Sequence, residues 1–133
     1  MIGLLRVLAV IEAATFVLAS LLHLGIAVPV LSGLGEPLMP QAGIPEGIIG
    51  VVVAIGAAAL FVRTPLSWAA NIATHLFAIA GVLVGMASLA AGLAVATVPN
   101  EIYHRGILVV LLVALAILVL RRDDVLTWAR GAA

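Results

Sequence analysis

The chain has 133 residues, of which 65% are hydrophobic and only 9% are charged, and its formal net charge at pH 7 is zero. A soluble domain of this size needs a polar shell that so few charged side chains cannot supply, so the composition indicates a membrane protein. Cysteine is absent, which excludes disulfides, thiolate metal ligands and iron–sulfur clusters. The six basic residues form no stripe along which a nucleic acid backbone would bind, so no nucleic acid partner is expected.

The first predicted membrane span covers residues 2–29, which at ~1.5 Å per residue is long enough to cross a hydrocarbon core of ~30 Å. Glu12 and His23 interrupt this apolar run. A cleaved signal peptide is the alternative, since Arg6 precedes an apolar stretch. The span is favoured because Glu12 would interrupt the apolar core of a signal peptide and because the apolar run continues to Val30.

Three further apolar segments predict the remaining spans, at residues 44–62, 65–93 and 100–121. A connection rich in glycine and proline, from Ser32 to Gly43, separates the first span from the second. The sequence Pro99-Asn100-Glu101 is typical of a helix start, with Asn100 as the predicted cap of the fourth span. The sequence therefore predicts one all-α domain over residues 1–133, an integral membrane four-helix bundle.

The distribution of arginine predicts how this bundle lies in the cell membrane. With four spans, both termini and the turn between the second and third spans share one side. Five of the six arginines belong to that side: Arg6, Arg63, Arg121, Arg122 and Arg130. Arg105 alone is opposite, so the positive-inside rule predicts a multi-pass protein with both termini in the cytoplasm. Residues 123–133 are predicted to form a short interfacial tail.

Ionisable side chains inside a span cost several kcal/mol unless they are paired or hydrated, so each one is a functional hypothesis. Counted from the cytoplasmic end of their spans, Glu12 and His75 lie at similar depths. Asn71 precedes His75 by four residues and so occupies nearly the same helix face. We predict that these three residues form an inner polar layer.

A second set of polar residues lies near the predicted outer surface and predicts an outer layer or ligand site: His23, Glu46, Glu101 and His104. Imidazole and carboxylate ligands suit zinc or copper, so three of them are metal candidates: His23, Glu46 and His104. Histidine could also ligate haem. The structural alternatives are that the two glutamates only cap the first turns of their helices, and that the polar groups form a network that only fixes helix register. The cofactor stays open.

Small residues predict close helix packing. Gly81-x-x-x-Gly85 forms such a stripe on the third span, and close approach over small residues is a main source of packing in lipid. The same stripe could instead form a homodimer contact or bind a membrane protein partner. Besides the lipid bilayer, these are the partners that the sequence predicts.

The chain resembles small four-helix membrane proteins of the DoxX-like type. The likeness lies in Leu4-Leu5-Arg6 and in Pro45-Glu46-Gly47-Ile48-Ile49-Gly50, followed by Gly56 and Arg63. The resemblance implies an accessory membrane subunit linked to quinone or other redox chemistry, and it supplies no catalytic residues. An alternative is a proton-coupled small-molecule carrier, because small multidrug transporters also have four short helices and a glutamate in the first, as Glu12 is here. Whether the chain is an enzyme is left undecided.

Overall fold

A computed structural model describes residues 1–131, apart from the side chains of Val30 and Ser32. Within these residues the chain is all-α, with five α-helices and one short 3-10 helix, at Pro29–Leu34. The α-helices are α1 (Ile2–His23), α2 (Pro40–Val62), α3 (Ser67–Ala90), α4 (Val98–Leu120) and α5 (Arg122–Arg130). The first four are long and apolar enough to cross a membrane, as predicted. Helix α5 lies in the predicted tail, of which residues 132–133 are outside the described part.

Helix α1 is shorter than the predicted span 2–29, because Gly25 ends it. Gly25 adopts the left-handed conformation, with φ of 75°, and its N–H donates to Leu22 O at 2.9 Å. The next N–H donates to Leu21 O at 2.9 Å, which completes a Schellman motif. The prediction was wrong by six residues at this end, and the chain continues as a turn and the 3-10 helix instead.

The start of α4 also differs from the prediction. Thr97 is the cap, and its Oγ1 accepts a hydrogen bond from the N–H of Asn100 at 3.2 Å. Asn100 is therefore inside the first turn, and its predicted role as cap was wrong. Pro99 can occupy this first turn because its missing N–H would have had no partner there. The Thr97 hydroxyl also donates to Oε1 of Glu36 at 2.7 Å, which ties the α1–α2 connection to α4.

The long helices pack in a closed order, α1 on α2, α2 on α3, α3 on α4 and α4 on α1. Between them lies one core cluster in the half of the bundle where α4 begins: Ala13, Phe16, Ile49, Val53, Ala78, Val82, Ile107 and Leu111. A second cluster lies in the other half: Leu5, Leu60, Leu118 and Val125. The outward faces expose large apolar side chains on all four helices.

The first and last helices of the described chain, α1 and α5, have their terminal ends at the same end of the bundle. Arg6, at the start of α1, donates to Leu60 O near the end of α2 at 3.0 Å. Trp68, at the start of α3, donates to Leu118 O near the end of α4 at 2.9 Å. Helix α5 packs against α3 and α4. We call this the arginine end, since it holds five arginines: Arg6, Arg63, Arg121, Arg122 and Arg130.

The glycine stripe of α3 is used inside the bundle. A Cβ added at Gly81 would overlap the side chain of Ile49 on α2, and one added at Gly85 would lie 2.8 Å from Nε2 of His104 on α4. Both glycines therefore face neighbours in the same chain. The homodimer or partner contact predicted at Gly81 and Gly85 stays a prediction.

Candidate functional site

Glu12 on α1 and His75 on α3 meet in the interior of the bundle. Oε2 of Glu12 lies 3.0 Å from Nε2 of His75. Both side chains are shielded from solvent, with residue exposures of 0% for Glu12 and 2% for His75. Asn71, also 0% exposed, precedes His75 by one helical turn. We call these three residues the inner cluster.

Asn71 orients the inner cluster through its backbone and its side chain. Its carbonyl oxygen accepts a hydrogen bond from Nδ1 of His75 at 2.7 Å, which sets the direction of the imidazole ring. Its side-chain amide donates to Gly56 O on α2 and to Ser67 O on α3, both at 2.8 Å. Three helices therefore contribute to the cluster. Among the described residues, Oδ1 of Asn71, both carboxyl oxygens of Glu12 and Nε2 of His75 have no hydrogen-bond partner.

A second group of polar side chains lies at the end of the bundle opposite the arginine end. Nδ1 of His23, the last residue of α1, is 2.6 Å from Oε2 of Glu46 on α2. Nε2 of His23 faces a second carboxylate, with Oε2 of Glu36 at 3.7 Å. All three side chains are at most 8% exposed. We call them the outer cluster; Glu36 was not among the predicted site residues.

The outer cluster is not arranged as a metal site. The two ring nitrogens of an imidazole point in opposite directions, so Glu36 and Glu46 flank His23 from two sides and cannot share one ion with it. His104, the third metal candidate, directs Nδ1 to Asn100 O at 2.9 Å. Within the described residues, no group of three His, Cys, Asp or Glu side chains could hold a metal ion. The metal candidates therefore gain no support from their placement.

A cavity of about 300 Å³ lies between α2, α3 and α4, on the side of the inner cluster away from the arginine end. We call it the outer cavity. Its walls are mainly apolar, with Phe16, Ile49 and Val82 among the side chains that line it. Polar side chains line it as well: Gln41, Glu46, Ser88, Asn100, Tyr103 and His104. An apolar cavity with a few polar groups on its wall is the usual form of a small-molecule site.

His104 offers a hydrogen-bond acceptor to this cavity. Since Asn100 O can only accept, Nδ1 of His104 carries the proton in that contact, and the neutral ring leaves Nε2 with a free lone pair. Nε2 points toward Gly85, where the absence of a side chain leaves room for the ring. Tyr103 packs edge-on against the imidazole, with ring centroids 5.2 Å apart, and against Phe16 at 6.3 Å.

Three polar atoms in the wall of the outer cavity lack hydrogen-bond partners among the described residues. They are Oε1 of Glu46, Oδ1 of Asn100 and the hydroxyl of Tyr103, and all three are buried. Buried polar atoms are nearly always paired, so these three atoms are exceptions beside the outer cavity. Tyr103 and Asn100 were not predicted as site residues. Tyr103 is the single tyrosine of the chain and is adjacent in sequence to His104, and this pairing could have marked it as a candidate site residue.

A smaller cavity of about 200 Å³, the side cavity, lies between α1, the 3-10 helix and the start of α4. His23 and Glu36 line it from the outer cluster, and Asn100 and Tyr103 line it from α4. Because the last two residues also line the outer cavity, they form a wall that the two cavities share. The remaining lining is almost entirely aliphatic, so this space suits an apolar group.

Glu101 is separate from the outer cluster. Its carboxylate pairs with Arg105, one turn further along α4, at 3.0 Å, and both side chains are largely solvent-exposed. Exposed pairs of this kind contribute little to stability. Glu101 and His104 line a separate, open space of about 220 Å³ between α3 and α4. Of the four predicted outer residues, the structure thus brings His23 and Glu46 into contact and places His104 on the same cavity as Glu46.

No protein-family model, no curated protein and no solved structure matches this chain. The DoxX-like resemblance therefore stays a prediction.

Proposed function

We propose that this chain is a multi-pass protein of the cell membrane, with both termini in the cytoplasm, and that it acts as a quinone-linked accessory subunit. Four helices with the length and hydropathy of membrane spans support the location. The arginine end supports the orientation, because an excess of arginine marks the cytoplasmic side. The DoxX-like resemblance supports the link to quinone chemistry.

The outer cavity is the observation that carries the quinone hypothesis. Its volume of about 300 Å³ lies at the lower end of the usual range for small-molecule sites, ~300–1,000 Å³. A flat ring would contact the aliphatic and aromatic walls, including Ile49, Val82 and Phe16. Its polar edge would face the side of the cavity formed by Tyr103 and His104.

Two neighbouring groups suit the two redox forms of such a ring. Nε2 of His104 accepts hydrogen bonds, so it would bind a hydroxyl of the reduced form. The hydroxyl of Tyr103 has no partner among the described residues and can donate to a carbonyl of the oxidised form. The proposed role of these residues is to bind and orient the ring; no electron-transfer step is assigned to the chain alone.

The test is binding of menadione, a quinone head without a long tail, to the purified protein in detergent, measured by equilibrium dialysis. Gly85→Ala is the informative variant, because its added Cβ would lie 2.8 Å from Nε2 of His104 and would displace the imidazole ring. Gly106→Ala is the matched control. It makes the same substitution in α4, where no heavy atom lies within 4 Å of the new Cβ.

We expect saturable binding by the native protein and by Gly106→Ala, and affinity at least about tenfold weaker in Gly85→Ala, which corresponds to roughly 1.4 kcal/mol or one lost hydrogen bond. Circular dichroism establishes that both variants are folded. Absence of saturable binding by the native protein would overturn the proposal. Equal affinity in the two variants would show that menadione binds somewhere other than the outer cavity.

A further inference from the structure

We propose that Glu12 and His75 form a proton-binding site at the centre of the bundle. In this site the carboxyl group of Glu12 is protonated and donates a hydrogen bond to Nε2 of His75. The site is separate from the outer cavity and does not depend on quinone binding. It rests on the contact of 3.0 Å between the two side chains and on the hydrogen bonds of the groups around them.

The first step is the tautomer of His75. Its Nδ1 lies 2.7 Å from the backbone carbonyl oxygen of Asn71, which has no hydrogen to donate, so Nδ1 must carry one. The neutral imidazole then has a lone pair on Nε2. An ionised carboxylate also presents only lone pairs. Two acceptors at 3.0 Å repel each other, so the contact between Glu12 and His75 requires one additional proton.

The second step is that no neighbouring group among the described residues supplies this hydrogen. The side-chain amide of Asn71 already donates to Gly56 O and to Ser67 O, and the hydroxyl of Thr74 donates to Asn71 O at 3.2 Å. The polar atoms left without hydrogen-bond partners in the inner cluster are all acceptors: both carboxyl oxygens of Glu12, Nε2 of His75 and Oδ1 of Asn71. The cluster therefore holds acceptors in excess, and the missing hydrogen is a bound proton.

The third step is charge. Glu12 is fully buried, and Arg6, the cation on the same helix, directs its guanidinium to Leu60 O at the arginine end. Neutralisation of Glu12 must therefore come from the proton. Low-dielectric surroundings favour a neutral carboxyl beside a neutral imidazole over two separated charges, because burying an ion pair costs more solvation than it returns. This places the proton on Glu12 as the donor.

The position of the site gives the proton a chemical context. Phe16 follows Glu12 by one turn of α1 and lines the outer cavity, so the inner cluster and that cavity lie about one helical turn apart along α1. None of the described cavities reaches Glu12, Asn71 or His75. The inner cluster is therefore a buried site that binds one proton, and it lies about one helical turn from the outer cavity.

Infrared spectroscopy of the purified protein tests the proposal directly, because a protonated carboxyl has a C=O stretch that a carboxylate lacks. We expect this band in the native protein and its loss in Glu12→Gln. The side-chain amide introduced by this substitution can donate to Nε2 of His75 as the carboxyl does, so the variant should fold. Glu46→Gln is the matched control, since it alters another buried glutamate and should keep the band.

Labelling the native protein with ¹³C-glutamate shows, without a variant, whether the band arises from a glutamate, and the band should then shift to lower frequency. Native protein without a protonated carboxyl band would overturn the proposal. A band that does not shift with the label, or that persists in Glu12→Gln, would assign the proton to another residue and would overturn it as well. A band that disappears in Glu46→Gln but not in Glu12→Gln would move the site to the outer cluster.

Discussion

Replacing Gly56 by alanine should destabilise the bundle, because this glycine lets α2 and α3 approach beside the inner cluster. The added Cβ would overlap Oγ1 of Thr74 and would lie 3.2 Å from its Cβ and 3.3 Å from its Cγ2. Thr74 cannot rotate away easily, since a β-branched side chain on a helix has few rotamers and its hydroxyl is bonded to Asn71 O at 3.2 Å. The helices must therefore separate slightly.

The expected magnitude combines two opposing effects. Overpacking a close contact costs about 1–3 kcal/mol. Replacing glycine by alanine inside a helix returns about 0.5–1 kcal/mol, because the unfolded chain loses conformational freedom. The free energy of unfolding of Gly56→Ala should therefore fall, by up to about 2.5 kcal/mol. Since Gly56 O accepts from the side chain of Asn71, at 2.8 Å, the inner cluster should loosen with the helices.

The assay is unfolding by SDS in mixed micelles, followed by circular dichroism and by the fluorescence of the two tryptophans. Gly106→Ala, with open space around the new Cβ, should be unchanged or more stable by up to about 1 kcal/mol. Adding Thr74→Ala to Gly56→Ala should recover much of the loss, as expected for two residues in direct contact. If Gly56→Ala proves as stable as Gly106→Ala, the close approach of α2 and α3 at this position is not real.

Two further substitutions test the polar contacts by the same titration. His75→Leu should lower the free energy of unfolding by roughly 1–3 kcal/mol, because it leaves the fully buried carboxyl of Glu12 without its partner. The double variant with Glu12→Leu should be more stable than His75→Leu alone. If His75→Leu is as stable as the native protein, the contact between Glu12 and His75 is contradicted. Thr97→Ala should lower the free energy of unfolding by about 1 kcal/mol, because α4 loses its cap and the bond to Glu36. Thr97→Ser keeps the hydroxyl and should lower it less. Equal losses of stability in the two variants would refute the capping role.

The helices could be predicted from the sequence because their hydropathy is nearly continuous, but their ends depend on local chemistry. Gly25 carries the signal for the end of α1, since glycine commonly takes the left-handed position after a helix. The apolar residues that follow it obscured that signal. At α4, Thr97 and Asn100 are both good caps, and the choice depends on Glu36, which bonds to the Thr97 hydroxyl from a distant loop.

The inner cluster was accessible to sequence reasoning because helical geometry relates position in the chain to depth. The constant rise per residue placed Glu12 and His75 at one level, and the spacing of four placed Asn71 on the same face. The outer cluster was harder to predict. Glu36 reaches His23 from a connection whose path depends on a turn and a 3-10 helix, and no periodicity describes such a segment.

The placement of Phe16 makes the two proposed sites physically separable. This side chain is 1% exposed, packs in the core and lines the outer cavity one helical turn from Glu12. A ring bound against His104 would therefore not touch the inner cluster, and a proton on Glu12 would not be displaced by it. Menadione binding can fail while the carboxyl band is present, and the band can be absent while menadione binds. The carrier hypothesis requires more than either result, because Glu12 would have to become accessible past Phe16 from one side and past the core around Leu5 from the other.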